Sequence, residues 1–80
     1  MKATVLVRPK EGILDPQGEA VQGSLHKLGF EVERVRVGRV IDVELVARDA
    51  ADAREQVERM CAELLANPLI ESFQIRLDES

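Results

Sequence analysis

The spacing of hydrophobic positions changes repeatedly along this chain, and each change marks an element. Ala3, Val5 and Val7 alternate with Thr4, Leu6 and Arg8, a two-residue period rich in β-branched side chains that predicts a strand. Pro9 ends it, having no amide hydrogen to give to a ladder. After a loop over residues 10–14, Asp15 is placed to cap a helix whose first turn starts at Pro16, where a missing N–H costs nothing. Val21, Leu25 and Leu28, with Ala20 and Ser24, mark one face of that helix, and Gly29 stops it.

Between residues 31 and 46, Val35, Val37, Ile41, Val43 and Leu45 occupy odd positions, while Arg34, Arg36, Asp42 and Glu44 occupy even ones. A two-residue turn at Gly38-Arg39 would set Val35 across from Asp42 and mix apolar with charged groups on one face. A connection through Gly38-Arg39-Val40 instead pairs Val37 with Ile41, Val35 with Val43, Arg36 with Asp42 and Arg34 with Glu44. The two charge pairs are worth ~0.2 to 1 kcal/mol each. That hairpin is the preferred reading. The alternative is one long bent strand through Gly38, which leaves Arg39 on the apolar face.

Asp49-Ala50-Ala51-Asp52 carries a capping signal for a second helix, with Ala50, Ala53, Val57, Met60, Cys61, Leu64 and Leu65 as its buried stripe. On its outer face Arg54 with Glu58, Glu55 with Arg59, and Arg59 with Glu63 have ion-pair spacing. Pro68 ends the helix by Asn67. Phe73, Ile75 and Leu77 then alternate with Ser72, Gln74 and Arg76, predicting a last strand. The order βαββαβ predicts an α+β fold of the ferredoxin-like kind. It is a two-layer sandwich, a four-stranded antiparallel sheet with two helices on one face, built as a single domain over residues 1–80.

An 80-residue chain buries only ~60% of the surface its unfolded state exposes, so stability alone is marginal and self-association is expected. The 45% hydrophobic and 32% charged content is that of a globular chain. Short apolar runs and a start without a long apolar region predict neither a membrane span nor a secretory signal, hence a cytoplasmic location. Eleven basic against 15 acidic residues, for a net charge of −4, disfavour a phosphate-neutralising surface. With Phe30 and Phe73 the only aromatic residues, no stacking platform for bases is expected either.

Candidate chemistry is sparse. Cys61, the only cysteine, reads as a buried thiol without disulfide or metal partners. His26 is the sole histidine, and a nucleophilic triad would have to join it to Ser24, Ser72 or Ser80; lying off the helix stripe, it reads as exposed. The glycines between residues 12 and 18 match neither the phosphate loop nor the dinucleotide fingerprint. Gly18 and Gly23 weaken the first helix, the latter by ~1 kcal/mol relative to alanine, and close approach of another backbone would account for both. The loop over residues 9–14 mixes Lys10 and Glu11 with Ile13 and Leu14, a composition suited to meeting a partner.

Two stretches carry a family resemblance. Residues 7–29, with Arg8-Pro9-Lys10, Leu14-Asp15-Pro16-Gln17-Gly18 and Leu28-Gly29, resemble the start of a PurS chain. Residues 63–75, with Leu65-Ala66-Asn67-Pro68 and Ile70-Glu71, resemble its end, and Val35-Arg36-Val37-Gly38-Arg39 extends the likeness. PurS is the small non-catalytic subunit of phosphoribosylformylglycinamidine (FGAM) synthase in purine synthesis. The resemblance implies an accessory subunit with no active site, metal or cofactor of its own. ATP and magnesium are then used by the PurL synthetase subunit, and glutamine is hydrolysed by the PurQ subunit. The implied role is to bridge PurL and PurQ, support assembly and help ammonia pass between them, as a homodimer or dimer of dimers. Contact residues expected on this basis are Arg8, Pro9, Lys10, Leu14, Asp15 and Gln17 with Asn67 and Pro68. The rival readings are a small-molecule sensor binding an effector at a dimer interface and, more weakly, an acylphosphatase-like enzyme, for which Asn67 would be the only available asparagine.

Overall fold

In the computed structural model, which describes residues 1–78, β1 (Lys2–Pro9) is the central strand of a three-stranded antiparallel sheet. It lies between β2 (Arg39–Glu44) and β3 (Glu71–Asp78). Helix α1 (Pro16–Lys27) connects β1 to β2; α2 (Ala50–Met60) runs into a π-helical turn (Cys61–Leu65) before β3. The α+β class, with an antiparallel sheet and two helices, agrees with the predicted ferredoxin-like arrangement, although the sheet has three strands and not four.

The central position of β1 follows from its alternation. Ala3, Val5 and Val7 are at most 1% exposed, and Ala53, Val57 and Cys61 of the α2 run are fully buried. Together with Ala66, all but Ala53 form one cluster, flanked by half-buried Ile41, Leu45, Met60, Leu65, Ile75 and Leu77. Burying each valine contributes about 1.5–3 kcal/mol. Both predicted caps form: the Asp15 carboxylate accepts from Gly18 N at 3.0 Å and that of Asp49 from Asp52 N at 2.8 Å. Asp52 in turn accepts from Arg48 N at 3.0 Å. At the far end of α1, Gly29 N donates to His26 O and Phe30 N to Leu25 O, the paired bonds that close a helix C-terminus.

Four expectations are corrected. Residues 31–38 form no strand within this chain, and the predicted hairpin is absent. Val5 pairs with Ile41 and Val7 with Arg39, so β2 begins only at Arg39 and pairs with β1 instead of with the segment before it; neither the hairpin nor one long strand through Gly38 forms. Arg39 does lie on the inner face, but at its open end, where the Glu71 carboxylate meets it at 2.6 Å. Gly38 fits because a Cβ there would strike the Val7 carbonyl.

The second correction concerns the apolar face of α1, which does not cover the sheet. Val21 and Leu28 are 42% and 73% exposed, and α1 gives no residue to the core cluster. Third, Leu64 points outward at 83% exposure while Ala66 is buried. The cause is the π turn, in which Ala66 N bonds to Cys61 O: the widened turn re-phases the stripe by one residue. Fourth, none of the three predicted ion pairs on the outer face of α2 closes; the helix instead uses Arg48 with Asp52.

Val57→Ala removes fully buried methyl groups and is expected to lower stability by about 2 kcal/mol, whereas Leu64→Ala is expected within about 0.5 kcal/mol of the parent. Urea denaturation of both variants checks this; equal costs would contradict the re-phased stripe.

Candidate functional site

The loop after β1 and the turn before β3 meet at one end of the sheet because β1 and β3 pair through Pro9 and Glu71. Just beyond, Lys10 N donates to Ile70 O at 2.9 Å and Lys10 Nζ to Pro68 O at 2.7 Å. Asn67 shapes its own turn: its side-chain oxygen accepts from Leu69 N at 3.1 Å and its carbonyl from Ile70 N and Glu71 N. Such a short-range side-chain acceptor is what makes asparagine effective in turns. Asn67 N donates to Glu71 Oε1 at 2.7 Å.

Asp15 joins this end to the residues before β2. One carboxylate oxygen caps α1 through Gly18 N, and the other accepts from Val37 N at 2.8 Å. The group is buried, and the Val37 and then the Gly18 amides hold its pKa below the ordinary aspartate value, against the opposing effect of desolvation. Arg36 donates to Ile13 O at 3.0 Å and Lys10 O at 2.9 Å and lies 3.9 Å from the Asp15 carboxylate. Gly18 leaves room for this arrangement, since a Cβ there would collide with Val35 O and the Asp15 side chain. A Cβ at Gly23 would meet nothing in this chain, so close backbone approach within the chain accounts for only one of the two helix glycines.

Arg39 completes the end. It makes a forked pair with both Glu71 oxygens, at 2.6 and 3.1 Å, and donates to Leu65 O at 2.5 Å, at the end of the π turn. Arg39, followed by the Asn67 amide, depresses the Glu71 pKa, and the same hydrogen bond raises that of Arg39. Between these groups lies a cleft of about 220 Å³ lined by Pro9, Leu14, Gln17, Arg39 and Ile70 among others. Leu14 and Leu69 are each 81% exposed, so this end presents apolar side chains around a neutralised ion pair.

Of the residues expected at an interface, Pro9, Lys10, Leu14, Asp15, Gln17, Asn67 and Pro68 are brought to this end. Arg8 is not with them, because strand alternation puts it on the opposite sheet face with Leu6 and Thr4. Asp15, Asn67 and the Lys10 ammonium are occupied by bonds within the chain. Sequence reasoning missed Arg36, Arg39 and Glu71 as organisers of the site. Their signal was their presence inside the Val35–Arg39 and Ile70-Glu71 stretches.

Among the described residues no group of three His, Cys, Asp or Glu side chains is placed to hold a metal. His26 Nε2 is 3.0 Å from Val32 O, Cys61 is buried with its thiol pKa raised by desolvation, and Ser80 lies outside the described residues. No helix among them is long and apolar enough to cross a membrane.

A family model described as "PurS: Phosphoribosylformylglycinamidine (FGAM) synthase" matches residues 2–79. The PurS subunit of Methanocaldococcus jannaschii is 38% identical over 79 residues, 98% of this chain and 95% of that one. The structure of B. subtilis PurS superposes with a TM-score of 0.87 at 39% identity, covering 98% of both chains. A chain in the structure of PurLQS from Thermotoga maritima does so with a TM-score of 0.86 at 33% identity, covering 94% of this chain and 93% of that chain.

Asp15→Ala is expected to cost about 1–2 kcal/mol, and Asp15→Asn no less, because an amide NH₂ would replace one of two acceptors and face a backbone donor. The depressed carboxyl pKa stabilises the fold above the unfolded aspartate value of about 3.9, and that contribution is lost as pH falls through the folded value. Urea titrations from pH 7 downward should therefore show the wild-type advantage over Asp15→Asn shrinking in acid. Full rescue by asparagine at pH 7 would remove the two-acceptor role.

Proposed function

This chain belongs to the PurS family, the small subunit of FGAM synthase in purine biosynthesis, and from that premise we propose that it bridges the PurL-type synthetase and the PurQ-type glutaminase. The match across nearly the whole chain carries this reading, supported by the likeness to a chain in a PurLQS structure. The chain's part is assembly and alignment of the two catalytic subunits, so that ammonia released from glutamine reaches the synthetase. The sheet end with Pro9, Lys10, Leu14 and Gln17 beside Asn67 and Pro68 is the proposed contact surface. Its exposed Leu14, Leu69 and Ile70 supply apolar area, and its internal hydrogen bonds hold that area in one shape, which lowers the ordering cost of association.

The cofactors follow from the same division of labour: ATP and magnesium act in the synthetase, and this chain holds neither. The working location is the cytoplasm, and the chain works as a homodimer or pair of dimers, a reading supported by the exposed apolar face of α1.

The test is glutamine-dependent FGAM synthesis by the two larger subunits from the same source, with ammonia-dependent synthesis as control. Addition of this protein is expected to raise the glutamine-dependent rate and leave the ammonia-dependent rate nearly unchanged. Leu14→Asp with Leu69→Asp should abolish the stimulation while the variant's circular dichroism stays that of the parent. Full glutamine activity without this protein would overturn the bridging role.

A further inference from the structure

Two clefts adjoin at the sheet end beside Pro9. The one described above takes Leu14, Gln17 and Ile70 into its lining and shares Pro9, Gly38 and Arg39 with a second, of about 310 Å³. Besides those three, the second is lined by Leu6, Arg8, Arg36 and Val40 among others. Leu6 and Val40 are partners across the β1–β2 pairing, on the sheet face opposite the buried Ala3, Val5 and Val7.

The charge of this outer cleft is one-sided. Three arginines line it and no carboxylate does. Arg39 is balanced by Glu71 at 2.6 Å, and Arg36 has Asp15 at 3.9 Å. Arg8 is exposed and, among the described residues, has no ion-pair or hydrogen-bond partner for its guanidinium. Its cross-strand neighbour is Ser72, and Gln74 follows on the same face opposite Leu6. The first carboxylate along that face is Asp42, which sits opposite Thr4 and accepts from its hydroxyl at 3.1 Å. Four residues of strand separate Arg8 from that row, about 13 Å at the usual rise. This exceeds the ~8 Å over which exposed charges act at physiological salt. In a chain of net charge −4, this corner is a local positive site beside apolar surface, with Leu6 half-buried and Val40 63% exposed.

We infer that the outer cleft receives an acidic segment of one of the larger synthase subunits, with a carboxylate of that segment on Arg8 and an apolar neighbour on Leu6 and Val40. The inference rests on the bridging role proposed above and extends its contact surface. Pro9, Gly38 and Arg39 join the two clefts, so a partner seated on Leu14 meets Arg8 by continuing over the sheet end. Arg36 is pinned by Ile13 O and Lys10 O, and Arg39 by Glu71 and Leu65 O. They fix the shape of the cleft, and Arg8 is the guanidinium left to fork onto a carboxylate. Two copies of this chain related by a twofold axis through the cleft would bring Arg8 against Arg8, so the occupant is a different chain.

The test compares assembly with the two larger subunits from the same source, followed by sedimentation velocity at low and at high salt. Arg8→Glu is expected to weaken assembly about tenfold at low salt and to remove most of its salt dependence, because carboxylate would then face carboxylate. Lys2→Glu makes the same change of charge at the far end of the same face and should stay within about twofold of the wild type. Both side chains are exposed, so circular dichroism should report the parent fold. Equal weakening by the two variants, or none by either, would overturn the acidic contact while leaving the bridging role intact. Loss of self-association in Arg8→Glu, with binding to the larger subunits unchanged, would assign the cleft to a second copy and overturn it too. A wild-type protein that binds neither larger subunit would overturn the bridging role and the inference with it.

Discussion

The two acceptors of the Asp15 carboxylate are the constraint on which the rest of the arrangement depends. One oxygen starts α1 and the other takes the backbone amide of Val37, a residue 22 positions away. A helix cap and a long-range tether are thereby one group, and the loop after β1 cannot be reshaped without moving the segment that enters β2. Burial raises the cost of leaving any of these partners unpaired. Arg36 reinforces the junction from the other side by occupying two loop carbonyls.

From that junction the molecule divides into a packed body and a helix, α1, that gives no residue to its core. The body is stabilised by valines of β1 against the small residues and Val57 of the α2 run, a core with no large side chain. Such a core is thin, and residues adjoining it, among them Ile41 and Met60, are only half-covered. α1 keeps Val21 outside that core, with Leu28 and Phe30 exposed just beyond it. Surface that a larger domain would bury within itself is exposed here, as expected of a chain this short.

The sheet end at Pro9 and Glu71 is built differently. Arg39 and Glu71 neutralise one another while Arg39 also takes the last carbonyl of the π turn, and Lys10 takes that of Pro68. The polar groups are satisfied internally, leaving Leu14 and Leu69 exposed above them. An exposed ion pair of this kind adds little stability by itself; its effect here is to fix the turn that presents the leucines.

Local physical chemistry determined the elements. Alternation set β1 and β3, Asp15 and Asp49 set the helix starts, Gly29 and Pro68 set the stops, and two short stretches carried the family. What tertiary structure decided was the partner of each face. The odd–even alternation of residues 31–46 records which side chains share a face, but not which strand lies beside them, and in the folded chain β2 pairs with β1. Gly38 against Val7 O and Arg39 against Glu71 tie the start of β2 to β1 and β3 where the alternation favoured a hairpin. The π turn lay equally beyond sequence reading, since one widened hydrogen bond at Cys61 moves Leu64 outward and Ala66 inward without any change in composition. Sequence pattern records what a side chain must bury; only the folded backbone, through hydrogen bonds between distant residues, decides against what.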